Sequence, residues 1–186
     1  MSEITKSETT KAKVGVLGAS GYTGAELVRL LLRHPGVDIV LLTADRRAGQ
    51  EMRDVFPQFS PFPLPKLVSI DSIDWAGAAL DLVFCALPHG TTQKVIKELL
   101  GKAPRIKVVD LSADFRLADL AAYARWYGHA HQAPELQQEA VYGQVEAYRD
   151  KIRGSRLVAN PGCYTTTSIL GLSPLLPLLA GGLVLT

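Results

Sequence analysis

The chain has 186 residues, of which 47% are hydrophobic and 20% are charged, with 20 basic against 18 acidic side chains. This composition excludes disorder as the main state, and the length allows a core that needs neither disulfides nor a metal. The net charge is +2 and the basic residues form no stripe, so we expect neither a nucleic acid nor a membrane as a partner.

The amino terminus and the cysteines indicate a cellular location. Residues 1–12 are polar and of mixed charge, without the apolar core of a signal peptide or the Arg-rich pattern of a transit peptide. Cys85 and Cys163 lie too far apart for the usual zinc spacing and are too few for a disulfide scaffold. We therefore expect a flexible arm over residues 1–12 and a cytoplasmic protein.

The first predicted unit is a strand, a glycine turn and a helix. A β-branched run over residues 13–17 leads into the glycine turn, and residues 26–33 show helical spacing up to a Pro-Gly stop. Residues 38–43 form a second apolar run, typical of a strand buried on both faces of a parallel sheet. Residues 56–65 carry four prolines and predict an ordered loop or an edge segment.

Three more strands are predicted over residues 81–87, 106–111 and 156–159. Helices are predicted over residues 91–100, closing on Gly101, over residues 117–126, and from the Asn160–Cys163 turn onward. Alternating strands and helices predict an α/β fold, a doubly wound parallel sheet of the Rossmann-like type.

The most apolar stretch, residues 169–185, is nearly as long as a membrane span. Prolines and a Gly-Gly pair interrupt it, so we interpret it as a core helix together with the start of the next segment.

Polar segments follow the predicted strands at five places. In an open α/β sheet, ligands bind beyond the carboxyl ends of the strands, so these segments should line one rim. They are residues 18–21, 43–47, 88–90, 112–116 and 160–163.

The segment Gly18-Ala19-Ser20-Gly21-Tyr22-Thr23-Gly24 predicts a dinucleotide site. Glycines allow a tight turn and the close approach of a pyrophosphate, and a helix start supplies free N–H groups. A purely structural glycine turn is the alternative. The candidate cofactor-binding residues are Gly18, Ser20, Gly21, Tyr22, Thr23, Gly24, Thr43, Arg46, Arg47, Pro88 and His89.

The sequence after the second strand, Asp45-Arg46-Arg47, bears on which dinucleotide binds. An acid at this place suits the ribose of NAD, whereas arginine suits the 2′-phosphate of NADP. The two arginines favour NADP. Asp45 leaves NAD open, and solvated loop charges are the alternative interpretation of both arginines.

Cys163 is the candidate nucleophile. It follows a glycine turn at a helix start, where free amide donors and the helix dipole favour a thiolate. A small buried side chain is the alternative for any cysteine, and it suits Cys85, which lies inside an apolar strand and to which we assign no role.

Other rim residues are candidates for contact with a substrate. We name Ser112, Arg116 and Asn160 as substrate-binding residues. The fork of Arg116 suits a phosphate or carboxylate. A salt bridge to a nearby aspartate, among Asp110, Asp114 and Asp119, is the alternative.

Two histidines lie close together in a later loop. His129 and His131 have no third metal ligand in sight, so we expect a surface loop and no metal site.

At several of these segments the chain resembles the N-acetyl-γ-glutamyl-phosphate reductases, relatives of aspartate-semialdehyde dehydrogenase. The matching stretches are G-A-S-G-Y-T-G-A-E-L from residue 18, L-P-H-G from 87, D-L-S-A-D-F-R from 110, Y-G at 142–143 and A-N-P-G-C-Y from 159. The resemblance implies that NADPH is the reductant and Cys163 the nucleophile. It also implies a small-molecule acyl phosphate as substrate, reduced through a thioacyl intermediate to N-acetylglutamate 5-semialdehyde in arginine biosynthesis.

The chain departs from the family in two respects. Gln144-Val145 stands where the family usually has Leu-Pro, and family members are much longer, with a second α+β domain that supplies a histidine acid/base. We therefore interpret residues 13–186 as a dinucleotide-binding domain ending in the catalytic-cysteine helix, cut at the start of a substrate and dimerisation domain, with residues 183–186 opening a strand. The complete protein is expected to be a homo-oligomer. Another semialdehyde dehydrogenase, acting on aspartyl phosphate or a lysine-pathway substrate, and a non-catalytic NADP-binding fragment are the alternatives.

Overall fold

The computed structural model describes residues 10–178. Within them the strands are β1 (Ala12–Leu17), β2 (Val37–Thr43), β3 (Leu67–Val68), β4 (Leu82–Cys85), β5 (Lys107–Asp110), β6 (Val141–Tyr142) and β7 (Leu157–Ala159). They form one sheet in the order β3-β2-β1-β4-β5-β7-β6, and every neighbouring pair is parallel.

Helices connect the strands. They are α1 (Tyr22–Leu31), α2 (Met52–Val55), α3 (Thr92–Lys102), α4 (Leu120–Tyr127), α5 (Pro134–Gln137), α6 (Val145–Gly154) and α7 (Cys163–Leu172). Among residues 10–178, none of the helices combines the length and apolarity needed to cross a membrane.

The sheet has a core on each face. Neighbouring strand residues point to opposite faces, so Val16 packs in the cluster that contains Val28 of α1, whereas Leu17 packs in the cluster that contains Ile96 of α3. Helices therefore cover both faces, and the predicted doubly wound α/β fold is confirmed.

The order of the strands reverses between β1 and β4. From this point the chain builds outward through β2 and β3 on one side, and through β5, β7 and β6 on the other. A crevice at the carboxyl edge is expected where two such halves diverge.

Several predicted boundaries were wrong by a few residues. Helix α1 begins at Tyr22, directly after the glycine turn, and not at residue 26. Helix α3 continues through Gly101 to Lys102, since a helix tolerates one glycine at a cost of about 0.5–1 kcal/mol. Helix α4 begins at Leu120 because the Asp119 carboxylate accepts hydrogen bonds from the N–H groups of Ala121 and Ala122.

The helix predicted after the Asn160–Cys163 turn is present as α7, but the prediction that it lies in the core was wrong. No residue of α7 is buried, and Leu170, Leu175 and Leu176 are 39%, 47% and 39% exposed. Apolar composition shows that a segment favours burial, but it does not show which surface packs against it. The predicted strand at residues 183–186 and the end of the apolar stretch lie outside the described residues.

Candidate active site at the carboxyl edge of the sheet

The turn after β1 is fixed by contacts that exclude a side chain at Gly18. Its φ is +78°, and a Cβ there would lie 2.5 Å from the carbonyl oxygen of Ala86. The N–H of Gly18 donates to Thr43 Oγ1 at 3.1 Å, and the N–H of Ala19 donates to Thr43 O at 2.8 Å. Buried Thr43 therefore locks the turn against the end of β2.

The other two glycines of the turn have different roles. A Cβ on Gly24 would overlap the carbonyl oxygen of Gly18 and lie 2.7 Å from Ala19 Cα, so this position permits close packing of α1 on the turn. A Cβ on Gly21 would meet one atom, Gly18 O, at an ordinary 3.4 Å. Gly21 is therefore not required by the packing of the chain itself, and its surface is available for a close-fitting ligand.

The start of α1 presents free hydrogen-bond donors. Gly21 is its N-cap, and no side chain of the described residues caps it. The first intrahelical bond runs from Ala25 N to Gly21 O, which leaves the N–H groups of residues 22–24 without helical partners. Such a helix start suits a phosphate group.

A cleft of about 610 Å³ opens above this turn. Its lining combines the glycine turn, the end of β2 and the segment after β4: Gly18, Ser20, Gly21, Thr23, Thr43, Ala44, Asp45, Arg46, Ala86, Leu87, Pro88, His89 and Leu111. The cleft thus lies at the reversal point between β1 and β4 and fits a dinucleotide with its pyrophosphate at α1.

Three of the predicted cofactor residues lie outside this lining. Tyr22 is 89% exposed and stands near Phe56, with ring centroids 6.3 Å apart. Arg47 is exposed beyond the end of β2, and Gly24 is buried under the turn. Gly24 therefore acts by packing.

Asp45 lines the cleft, but its carboxylate is bound to the segment that follows β3. Its Oδ1 accepts hydrogen bonds from the N–H of Ile70 at 3.0 Å and from Ser69 Oγ at 3.3 Å, and so caps a short 3-10 turn after β3. Arg46 lines the cleft beside it. In the sequence, Asp45 was the reason that NAD stayed an alternative to NADP. In the structure, its carboxylate binds Ser69 and Ile70.

His89 faces the cleft in a defined orientation. Its Nδ1 accepts a hydrogen bond from the N–H of Ala113 at 2.9 Å, so the ring proton of the neutral imidazole is on Nε2. The next residue, Gly90, has φ +81° and donates its N–H to the carboxylate of Asp114 at 2.8 and 3.0 Å.

A buried polar network lies under this turn. The Asp114 carboxylate also accepts from Thr92 Oγ1 at 2.8 Å, from Thr92 N at 3.2 Å and from the Tyr123 hydroxyl at 3.2 Å. Ser112 Oγ contacts Thr92 Oγ1 at 2.7 Å and Asp110 Oδ2 at 2.6 Å. Burial raises the pKa of Asp110 to about 6, and the bonds from Ser112 act against that rise.

Ser112 is 1% exposed, which leaves its hydroxyl no surface on which to meet a substrate in this structure. Sequence reasoning placed it on the rim and missed the network altogether. Two aspartates and a serine within five residues after an apolar strand were the available signal.

The prediction that both histidines lie in a surface loop is correct for His129 and wrong for His131. His129 is exposed, but His131 is 9% exposed and contacts Asp114 O through Nε2 at 2.8 Å. Burial lowers the pKa of His131, and its Nδ1 accepts a hydrogen bond from the N–H of Ala133 at 3.1 Å. Among residues 10–178, no group of three His, Cys, Asp or Glu side chains is placed to hold a metal.

Cys163 is exposed and is the first residue of α7. Gly162 is the N-cap, no side chain caps the helix among the described residues, and Gly162 O accepts from Thr166 N at 2.9 Å and Thr165 Oγ1 at 2.8 Å. Cys85 is buried, and burial raises the pKa of its thiol well above the ordinary value. The structure therefore separates a reachable thiol from an inert one.

Arg116 connects the cysteine turn to the cleft. Its Nε donates to Asn160 O at 2.7 Å, and its Nη2 donates to Leu111 O at 2.9 Å. Leu111 lines the cleft, and a Cβ on Gly162 would lie 3.0 Å from Arg116 Nη1. The alternative of a salt bridge is wrong for residues 10–178, since Arg116 forms none there.

Asn160 is half-buried at the start of the same turn. Its N–H donates to Asp110 O at 2.8 Å, and its side-chain Nδ2 donates to Pro161 O at 3.1 Å. Its contact with a substrate stays a prediction.

Comparison with known proteins shows which family the sequence matches. Residues 13–155 match the family model described as semialdehyde dehydrogenase, NAD binding domain. A curated N-acetyl-gamma-glutamyl-phosphate reductase of Afipia carboxidovorans is 74% identical over 166 residues, covering 89% of this chain and 47% of that protein. A relative from rice, named as a probable chloroplastic enzyme of the same kind, is 56% identical and covers 89% of this chain and 39% of that protein. The chain spans about half the length of the curated relatives it matches.

Solved structures show the same fold. Aspartate semialdehyde dehydrogenase II of Vibrio cholerae superposes with a TM-score of 0.63 at 15% identity, covering 90% of this chain and 43% of that chain. Aspartate semialdehyde dehydrogenase with NADP from Candida albicans has a TM-score of 0.60 at 18% identity, covering 92% and 48%.

Proposed function

The chain belongs to the family of semialdehyde dehydrogenase NAD-binding domains, and from this premise we propose that it is the cofactor-binding and nucleophile-bearing half of an NADPH-dependent reductase. The proposed substrate is N-acetyl-γ-glutamyl phosphate, and the products are N-acetylglutamate 5-semialdehyde and phosphate, in arginine biosynthesis. The names of the curated relatives support this substrate.

One observation carries the proposal. An exposed cysteine at a helix start shares the carboxyl rim of the sheet with a cleft suited to a dinucleotide, and Arg116 bridges the two. Strands β4 and β7 are separated by β5 alone, about 10 Å at the usual strand spacing. The nucleophile and the His89 end of the cleft are thus close enough to act on one substrate.

The residues of the cleft fit NADPH. The free N–H groups of the first turn of α1 would hold the pyrophosphate, and Arg46 would meet the 2′-phosphate. NADPH, when bound, supplies the reducing equivalent. His89, oriented by Ala113, lines the cleft and would carry its ring proton on Nε2. The NADP named with the Candida albicans structure supports this choice of cofactor.

The steps on the chain's own residues follow from the position of Cys163. Its Sγ attacks the carbonyl carbon of the acyl phosphate, a C–S bond forms, and the C–O bond to phosphate breaks with its electron pair leaving on phosphate. The free N–H groups at the start of α7 would stabilise the negative oxygen of the tetrahedral intermediate. After reduction of the thioacyl carbon, the C–S bond breaks, the aldehyde leaves and the thiolate is restored.

We further propose that residues 13–186 act as one dinucleotide-binding domain behind an arm of residues 1–12, although Ala12 already belongs to β1. Because the curated relatives are about twice as long, we propose that full activity requires the further length that they have. A cytoplasmic location and a homo-oligomeric state stay predictions, and two plant relatives are named chloroplastic.

The test is single-turnover acylation followed by mass spectrometry. N-acetyl-γ-glutamyl phosphate should add one acyl group to Cys163, and Cys163→Ser, the matched control, should show no thioester. Aspartyl phosphate should label far more slowly. Equal labelling by both substrates would favour another semialdehyde dehydrogenase, and NADPH binding without labelling by either would favour a non-catalytic module.

A further inference from the structure

Three short oxygen–oxygen contacts connect two buried aspartates beneath the cleft. Asp110 Oδ2 lies 2.6 Å from Ser112 Oγ, Ser112 Oγ lies 2.7 Å from Thr92 Oγ1, and Thr92 Oγ1 lies 2.8 Å from Asp114 Oδ2. Each distance is that of an O–H···O hydrogen bond, so each contact needs a proton. The two hydroxyls supply two protons, and the third must be on a carboxyl group.

The other contacts show which carboxyl group carries it. Asp114 accepts from the N–H groups of Gly90 and Thr92 and from the Tyr123 hydroxyl, so both of its oxygens already face donors and a proton on either oxygen would meet a donor. Asp110 Oδ1 accepts from Ser112 N at 3.0 Å, while its Oδ2 faces Ser112 Oγ. With a proton on Asp110 Oδ2, the three contacts form a hydrogen-bond chain in which each group donates to the next. Asp110 donates to Ser112, Ser112 donates to Thr92, and Thr92 donates to Asp114.

Among the described residues, no positively charged side chain is paired with either aspartate. Both carboxyl groups are fully buried, and burial raises the pKa of Asp110 to about 6. The titratable and charged groups on the elements packed around the pair are Cys85 on β4, His89 after it, Arg116 after β5, Tyr123 on α4, and His129 and His131 in the loop that follows.

None of these groups compensates a second negative charge. Burial raises the pKa values of the Cys85 thiol and the Tyr123 hydroxyl, so both stay protonated. His131 Nδ1 accepts a hydrogen bond from the N–H of Ala133 at 3.1 Å, so its ring is neutral, and Arg116 gives its Nε and Nη2 donors to backbone carbonyls. His129 contacts the ring of Tyr123 and the backbone of Ala130.

We propose that in mildly acidic solution Asp110 is a neutral acid whose proton completes this hydrogen-bond chain, and that the hydrogen-bond chain is a positioning element for the His89–Gly90 edge of the cleft. Asp114 holds Gly90 through two bonds, and Ala113 holds His89 through one. If Asp110 were ionised, one of the three short oxygen–oxygen contacts would have no proton, and the network that positions His89 and Gly90 would be weaker. The link to the cleft rests on the proposed cofactor site, whereas the protonation itself does not.

The test compares two aspartates of opposite expected behaviour. In Asp110→Asn, the amide N–H₂ replaces the acid proton toward Ser112 Oγ and the amide oxygen still accepts from Ser112 N. Its unfolding constant should match wild type below about pH 4. Above about pH 6 the variant should be more stable by about 100-fold, because the native pKa near 6 stands above the ordinary 3.8. Asp114→Asn should be less stable at every pH, since it turns an amide donor toward Gly90 or Thr92.

Two further measurements keep the proposal falsifiable if a variant folds poorly. The infrared spectrum of the wild-type protein at pH 5 should contain a protonated-carboxyl carbonyl band that is lost on raising the pH. NADPH affinity should fall between pH 5 and pH 8 in wild type and much less in Asp110→Asn. Absence of the band, or stability of Asp110→Asn below wild type throughout, would overturn the proposal. If the two variants show the predicted stabilities but the wild-type protein does not bind NADPH, the protonation of Asp110 would stand and the proposed cofactor site would be wrong.

Discussion

Substituting the glycines of the first turn one at a time should separate packing from ligand contact. In Gly24→Ala, the new Cβ would overlap Gly18 O and lie 2.7 Å from Ala19 Cα and 2.9 Å from Gly18 C. All three are backbone atoms, which cannot rotate away, so α1 must move off the turn. Overpacking of this kind costs about 1–3 kcal/mol, and we expect the free energy of unfolding to fall by that amount.

Two matched variants test the reasoning. In Gly21→Ala the new methyl would meet Gly18 O at 3.4 Å and project where the pyrophosphate is expected, so stability should change by less than about 1 kcal/mol. NADPH affinity should nevertheless fall at least tenfold, about 1.4 kcal/mol. In Gly101→Ala the new Cβ would have no atom within 4 Å, so the free energy of unfolding should rise by about 0.5 kcal/mol because alanine favours the helix.

The assay is urea unfolding followed by far-UV circular dichroism, with NADPH affinity measured by fluorescence titration. An unfolding free energy of Gly24→Ala within about 0.5 kcal/mol of wild type, close to the error of the extrapolation, would refute the packing argument. NADPH affinity of Gly21→Ala within about twofold of wild type would refute the close approach of the pyrophosphate.

Further expectations concern the nucleophile, the cofactor and the bridging arginine. Cys163→Ser should abolish acyl transfer while NADPH still binds, and Cys85→Ala should keep the chemistry, as read by thioester formation; labelling retained in the serine variant would contradict the assignment. Replacing Arg46 and Arg47 together by alanine should weaken NADPH by about one to two orders of magnitude and NADH much less, in parallel titrations. Equal weakening would assign the arginines to the loop. Arg116→Ala removes two charged hydrogen bonds to carbonyls and should slow acylation at least tenfold, with Arg116→Lys restoring little because lysine lacks the fork; wild-type acylation rates in the alanine variant would show that the bridge is unimportant.

The sequence predicted what local pattern controls. Apolar runs located five strands, and the glycine spacing located the turn between β1 and α1, because both depend on neighbours along the chain. The two-residue strands β3 and β6 were missed because they are too short to show a period. Contacts between elements that are distant in sequence decided the rest. Ser112 was assigned to the rim because it follows a predicted strand. Its burial depends on contact with Thr92, which belongs to α3, and the spacing of residues near Ser112 does not reveal that contact.

The strand order also constrains how the chain folds. Val14 of β1 pairs with Ile39 of β2, which comes soon after it, and with Leu82 of β4, which comes much later. Loop-closure entropy grows slowly with loop length, so the second pairing costs only about 1 kcal/mol more, but it must wait for the residues between to emerge from the ribosome. At the far edge, β6 pairs among the described strands with β7 alone, which is synthesised after it. The half of the sheet that carries the cysteine turn is therefore completed last, and a nascent chain should form the proposed nucleotide cleft before the proposed nucleophile, Cys163, is set in place.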